Sequence, residues 1–278
     1  MLASFFQDIK RSFRSSELAW LLVALTLSVA ALSSVSFLAD RMQRAFQFDA
    51  RQLLAADLLL VADQPLPDLF IQEAQKRNLQ IAQTIVFPSM ATVGEQSKLA
   101  SLKAVSKQYP LRGRLKVSPQ ILDATPAEGT VWVDPAMLAS LNAKVGDQMS
   151  LGDKRFVISA ILERELDRGA GFMNFAPRVM MSLDDLPATG LIGLGSRVTY
   201  RMLLAGSDSA IASYEAWANQ SITSEGLRGL RIETLENAQP TMRKTLDRAE
   251  RFLSLVALLT AMVAAVAIAL SARRYVLR

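Results

Sequence analysis

The chain is 278 residues long and 51% hydrophobic, with 31 Lys and Arg against 26 Asp and Glu, a formal charge of +5. It has no histidine and no cysteine, which excludes Ser-His-Asp and Cys-His catalysis and the usual zinc ligand sets from its own residues. No GxxxxGKS or GxxxxGKT stretch occurs, so this chain carries no P-loop.

Mean hydropathy is +0.22, and the apolar excess lies in two runs. Residues 1–17, with Lys10, Arg11 and Arg14, read as a cytoplasmic N-terminus. Residues 18–39 carry no charge; at 1.5 Å per residue they make roughly 32 Å of helix, enough to cross a bilayer. Ala24, Ser28, Ala31 and Ser34 in this run allow close helix approach in lipid. A cleaved signal peptide is the alternative. The run is about twice the length of a signal h-region, and Phe37, Leu38 and Asp40 replace a small-x-small cleavage site. It reads as an anchor, transmembrane helix 1.

Residues 40–108 form a first stalk and the first part of an outer subdomain. Leu38, Met42, Ala45, Phe46 and Leu53 fall at helical spacing. "ADLLLVA" at 56–62 predicts a strand, and "PDLFIQEAQKRN" at 67–78 a helix with proline at its start. "IAQTIVFPSMATV" and "KLASLKAV" predict two strands joined by a turn around Gly94. Residues 109–195 read as an inserted β-rich subdomain containing a strand, a short helix and a hairpin with turns at Gly146-Asp147 and Gly152-Asp153. Residues 196–251 return to the first subdomain with a strand at "SRVTYRMLLAG", a helix over 208–220, a strand at "LRIETL" and a second stalk. In that stalk Met242, Leu246, Ala249 and Leu253 repeat at four, three and four residues. Residues 252–272 are again free of charge and read as transmembrane helix 2, followed by a cytoplasmic end at 273–278 with Arg273, Arg274 and Arg278. The opposite ends of both helices mix Arg41, Arg44, Arg248 and Arg251 with Asp40, Asp49, Asp247 and Glu250. The basic flanks therefore place both termini in the cytoplasm. The fold class expected is a membrane α+β protein: two transmembrane helices with stalk extensions flanking a periplasmic α/β domain, a split βαβ sheet carrying the inserted subdomain.

Chemistry-bearing residues are few. Glu163, Glu165 and Asp167 alternate in "ILERELDRG", so a strand would put them on one face. Such carboxylates can serve acid–base work or a divalent cation; Arg164 and Arg168 between them favour an exposed, charged strand end. "GLIGLGSRV" lacks the third glycine of a dinucleotide loop, since Val198 stands there, and reads as a turn. Asp184-Asp185 reads as a helix start. "KQYPLRGRLKV" is basic, which can suit nucleic acid or anionic lipid. One tyrosine is no stacking platform, so Tyr109, Pro110, Arg112 and Gly113 are read as a structured crossover between the subdomains. The stalk stripes Leu38, Met42, Phe46, Met242, Leu246 and Leu253 are candidates for coupling between membrane and outer domain. No catalytic, metal or cofactor site is expected.

Several of these segments together resemble one family. "SELAWLLVALTLSVAALSSVSFLADRM", "AADLLL", "FPSMA", "LASLKAVSKQYPLRG", "ELDRGAGFMNFAPRVMMSLDDLPATGL" and "GSRVTYRMLLAG" follow one another as in the N-terminal half of YbbP-type ABC transporter permeases, of the FtsX/MacB-like superfamily. The resemblance implies an inner-membrane permease component with a periplasmic core domain. It would couple ATP hydrolysis by a separate ABC ATPase subunit to motion of that domain, for export or extraction of a lipophilic or peptide-like substrate. It further implies the lipid bilayer, the remaining permease segments or a second permease copy, and a periplasmic protein as partners, with no nucleic acid. Arg273, Arg274 and Tyr275 match the beginning of a cytoplasmic coupling segment, so the chain is expected to be the leading part of a longer permease. The alternative is a membrane-anchored periplasmic sensor or scaffold without transport activity.

Overall fold

The computed structural model describes residues 54–233, except 120–124, 166, 169–175 and 194, together with scattered helical positions between 26 and 41 and between 248 and 273. The chain divides into two units, Met1–Gln47 with Gln239–Arg278, and Phe48–Ala238. In the first unit the described residues are helical, and Val29, Phe37, Leu255 and Met262 among them are exposed. Among the described residues no helix is long and apolar enough to cross a membrane. The expected spans at 18–39 and 252–272 fall partly outside those residues. The stalk candidates Leu38, Met42, Phe46, Met242, Leu246 and Leu253 all lie outside them.

The second unit runs β1 (Leu58–Ala62), α1 (Asp68–Lys76), β2 (Gln80–Val93), β3 (Gln96–Val105), β4 (Lys116–Ser118), β5 (Thr130–Val133), α2 (Pro135–Leu141), β6 (Gln148–Leu151), β7 (Lys154–Arg164) and β8 (Arg178–Ser182). A 3-10 helix (Leu183–Thr189), β9 (Thr199–Ala205), α3 (Asp208–Ser224) and β10 (Arg231–Glu233) complete it. Helices α2 and α3 begin at side-chain caps. Ser207 accepts from the Ala210 amide at 3.3 Å, and Asp134 from Ala136 at 2.9 Å. Pro135 opens α2, where a missing amide costs nothing.

One end of the sheet has the order β10-β1-β9-β2, every neighbour antiparallel. Strand β9 sits between β1 and β2, and β1 sits between β9 and β10, so two βαβ units interleave as the split sheet anticipated from sequence. Helices α1 and α3 cover one face. Phe70, Ala74, Tyr214 and Ala218 pack there on Leu58, Leu60, Met202 and Leu204. Trp217 lies 5.3 Å from the Phe70 ring in an edge contact, and the Tyr214 hydroxyl donates to the Phe70 carbonyl at 3.0 Å.

The other end closes on itself. From β2 the pairing passes to β3, in parallel to β8, to β5, in parallel to β7, to β6, and back to β2 through Ala91↔Leu151 and Thr92↔Ser150. Strand β2 thus belongs both to the split sheet and to a closed ring, whose other strands are β3 and, from residues 109–195, β8, β5, β7 and β6. The ring interior is filled by Phe87, Leu102, Val131, Met149, Phe156, Ile158 and Met181, with Met137 and Leu141 entering from α2. Small residues at Ala91, Ala100 and Ala104 leave room for these larger ones. The hairpin β6–β7 turns at Gly152, whose φ is +57°; a Cβ there would meet the Thr189 carbonyl at 2.0 Å, so only glycine fits.

A third apolar cluster lies on the sheet face opposite α1 and α3. Leu59, Val61, Ala82 and Leu203 join Val105, Met180, Trp132, Ala160 and Leu162 from strands of the ring. The segment 106–118 lies on this face and contributes Tyr109, Leu111, Leu115 and Val117.

Candidate functional site: a buried ionic junction

Leu99, Ser101 and Lys103 alternate on one face of β3, and this places a lysine inside a protein core. A buried ammonium is strongly unfavourable unless it is paired and fully hydrogen-bonded. Lys103 has no exposed surface, and its Nζ donates to Glu165 at 2.7 Å, to Asp167 at 2.7 and 2.8 Å, and to the Tyr109 hydroxyl at 2.8 Å. The Tyr109 hydroxyl in turn donates to Asp167. Arg178, at the start of β8 and in register with Ser101, donates through Nε to Glu165 at 2.8 Å and through Nη1 to Ser101 Oγ. Arg201 of β9 reaches the other carboxylate, its Nη1 lying 3.9 Å from Asp167 Oδ2.

The electrostatics are self-consistent. Burial alone would raise the Glu165 carboxyl, but Lys103 and Arg178 hold it down at about 2. Burial, reinforced by Asp167 and Glu165, pushes the Tyr109 phenol well above its ordinary value. It therefore stays a neutral donor.

The alternating acids of "ILERELDRG" do not share one fate. Glu163 remains on the surface, paired to Lys116 at 2.8 Å, whereas Glu165 and Asp167 turn inward beyond the end of β7. The exposed, charged strand end expected from the sequence is therefore exposed at Glu163 and Arg164 but not at Glu165 and Asp167, whose side chains are buried. The place between the two buried carboxylates is taken by an ammonium, an arrangement that binds and positions but offers no free acid or base. Sequence reasoning passed over Lys103, Arg178, Arg201 and Asp57; Lys103 shares its strand with Ser97, Lys98 and Ser101, so its charge did not stand out.

The predicted crossover residues fall into two polar centres. Tyr109 belongs to the junction. Arg112 grips Asp57, just before β1, with Nε to Oδ1 at 3.1 Å and Nη2 to Oδ2 at 2.7 Å, while the Gly206 amide donates to the same oxygen at 3.1 Å. The amides of Leu111 and Arg112 both donate to the Ala55 carbonyl at 3.0 Å. Pro110 follows a cis peptide bond, and Gly113 takes a φ of +76° that favours glycine. Elsewhere, Asp185 of the 3-10 helix accepts from Lys154 at 2.5 Å and from the Gly129 amide at 2.8 Å. Gly190 is the left-handed residue ending that helix, as the turn reading of these glycines requires.

No protein-family model matches the chain. Among solved structures, the periplasmic region of MacB from Actinobacillus actinomycetemcomitans aligns over 69% of this chain and 95% of its own, at 11% identity and a TM-score of 0.47. The extracellular domain of the noncanonic ABC-type transporter YknZ from Gram-positive bacteria aligns over 64% of this chain and 100% of its own, at 13% identity and a TM-score of 0.42. In sequence, the chain is 33% identical over 265 residues, 95% of its length, to the uncharacterized ABC transporter permease YbbP of Escherichia coli K12. It spans 32% of that protein. By that identity, held across nearly its whole length, the chain is related to the ABC transporter permeases of the YbbP type.

Proposed function

We propose that the chain is part of the membrane component of an ABC transporter, working with a separate ATPase subunit to export or extract a lipophilic or peptide-like substrate. Residues 18–39 and 252–272 are its transmembrane helices, with both termini in the cytoplasm, and residues 54–233 lie in the periplasm beyond the inner membrane. The observation that carries this reading is the 33% identity to a permease across 95% of the chain. A feature of the domain supports it. Strands β1 and β10 are antiparallel neighbours with Leu59 opposite Glu233, so the start of β1 and the end of β10 lie at the same end of this strand pair.

Gentle detergent extraction of the native protein, followed by identification of what co-purifies, tests the proposal. Recovery of a P-loop ATPase in stoichiometric amount is expected. A chain that arrives without any ATPase but with periplasmic proteins would instead establish an anchored binding module.

A further inference from the structure

We propose that Thr84 and Arg201 form a buried site for a monatomic halide, chloride in the cell, beside the ionic junction. The inference is independent of the permease reading. Two side-chain atoms among the described residues are buried without a hydrogen-bond partner, Thr84 Oγ1 and Arg201 Nε. They are not scattered. Thr84 of β2 and Arg201 of β9 are direct register partners, so their side chains stand on the same face with Cβ atoms about 5 Å apart. Buried polar atoms are almost always satisfied, so two adjacent unmet groups point to a shared bound species.

The charge around them identifies its sign. Among the described residues, Lys103, Arg178 and Arg201 bring three positive charges to the junction, and Glu165 and Asp167 bring two negative ones. Tyr109 stays neutral, so it does not close the gap. Arg201 is committed on one side only: Nη1 donates to the Asp167 backbone carbonyl at 3.3 Å. Its Nε–H and the Thr84 hydroxyl are both able to donate. A water molecule accepting from both would satisfy the hydrogen bonds and leave the excess charge, whereas an anion satisfies both demands. Thr84 has no exposed surface and the Arg201 side chain is 15% exposed. That burial favours a bare ion over a carboxylate carried on a longer chain.

The test uses the full-length protein in detergent, its thermal midpoint followed as sodium chloride or sodium bromide replaces sodium gluconate at constant ionic strength. A saturable rise of several degrees is expected with either halide. Thr84→Ser keeps the hydroxyl and should retain the rise, and Thr84→Val should abolish it. A midpoint indifferent to halide would overturn the proposal and leave a bridging water as the occupant. A rise that persists in full in Thr84→Val would overturn it as well, by placing the ion elsewhere. Should Thr84→Val not fold, chloride NMR line width on the unmodified protein gives the decision. Broadening that bromide competes away in the Thr84→Ser and native proteins, and that Arg201→Lys removes, supports the site; broadening unchanged in Arg201→Lys rejects it.

Discussion

At the scale of single residues the junction is a set of charges that tolerate burial only together. Lys103→Met would leave Glu165 and Asp167 facing each other with one cation fewer, and breaking a buried ion pair in this way costs about 3–5 kcal/mol. A fall of that size in unfolding free energy, measured by denaturant titration, is the expected result. Glu165 also sets a pH dependence with a definite sign. Its carboxyl sits at about 2 in the folded protein against an ordinary 4.5. A depressed value contributes stability that is complete above pH 4.5 and is lost as the pH falls toward 2. The contribution is on the order of 3 kcal/mol. Denaturation midpoints recorded from pH 6 down to pH 2 should fall through that window in the native protein, and fall less in Glu165→Gln, which starts lower. Of these residues the sequence made the alternation of Glu163, Glu165 and Asp167 visible, but not Lys103. It did not distinguish which acids turn inward, because the strand ends between them and the period-two rule stops with it.

At the scale of elements the segment 106–118 behaves as a strap. It is fixed to Lys103 and Asp167 through Tyr109, and to Asp57 and Ala55 through Arg112 and its neighbouring amide. Arg112→Ala should remove the two guanidinium donors to Asp57 and loosen one end of the strap without opening the junction. Hydrogen exchange is expected to quicken at residues 54–57 and 111–113 while the amides of β3 and β8 keep their protection. Equal quickening in β3 would mean that the strap and the junction are one cooperative unit. Most elements were legible from hydrophobic periodicity, since the β1, β2, β3 and β9 segments and the α1 and α3 segments carry strong local patterns. The closure of the ring was not. The parallel β3–β8 pairing and the return of β6 to β2 join segments distant in sequence, and such contacts leave no period in either partner.

At the scale of the whole molecule the proposed function requires that motion at the two apolar runs reach the folded domain through the segments carrying Met242, Leu246 and their counterparts Met42 and Phe46. Met242→Asp combined with Leu246→Asp would place two charges in the apolar stripe that the sequence pattern predicts for the second stalk. ATP-dependent function of the full assembly is expected to fall at least tenfold, with the thermal midpoint of the 54–233 domain unchanged. Intact function would remove the stalks from the mechanism.

The pairing of β1 with β10 also determines how the domain bears load. Three residue pairs hold β10, and Glu233 lies at the same end of the pair as the start of β1. A force that splays the two chain connections opens these pairs one after another, like a zipper. A force drawing both connections in the same direction is shared in shear by the five pairs of β1 with β9, from Leu58↔Leu204 to Ala62↔Tyr200. The domain is therefore stiff to a concerted pull and soft to separation, and β10 is the element that yields first.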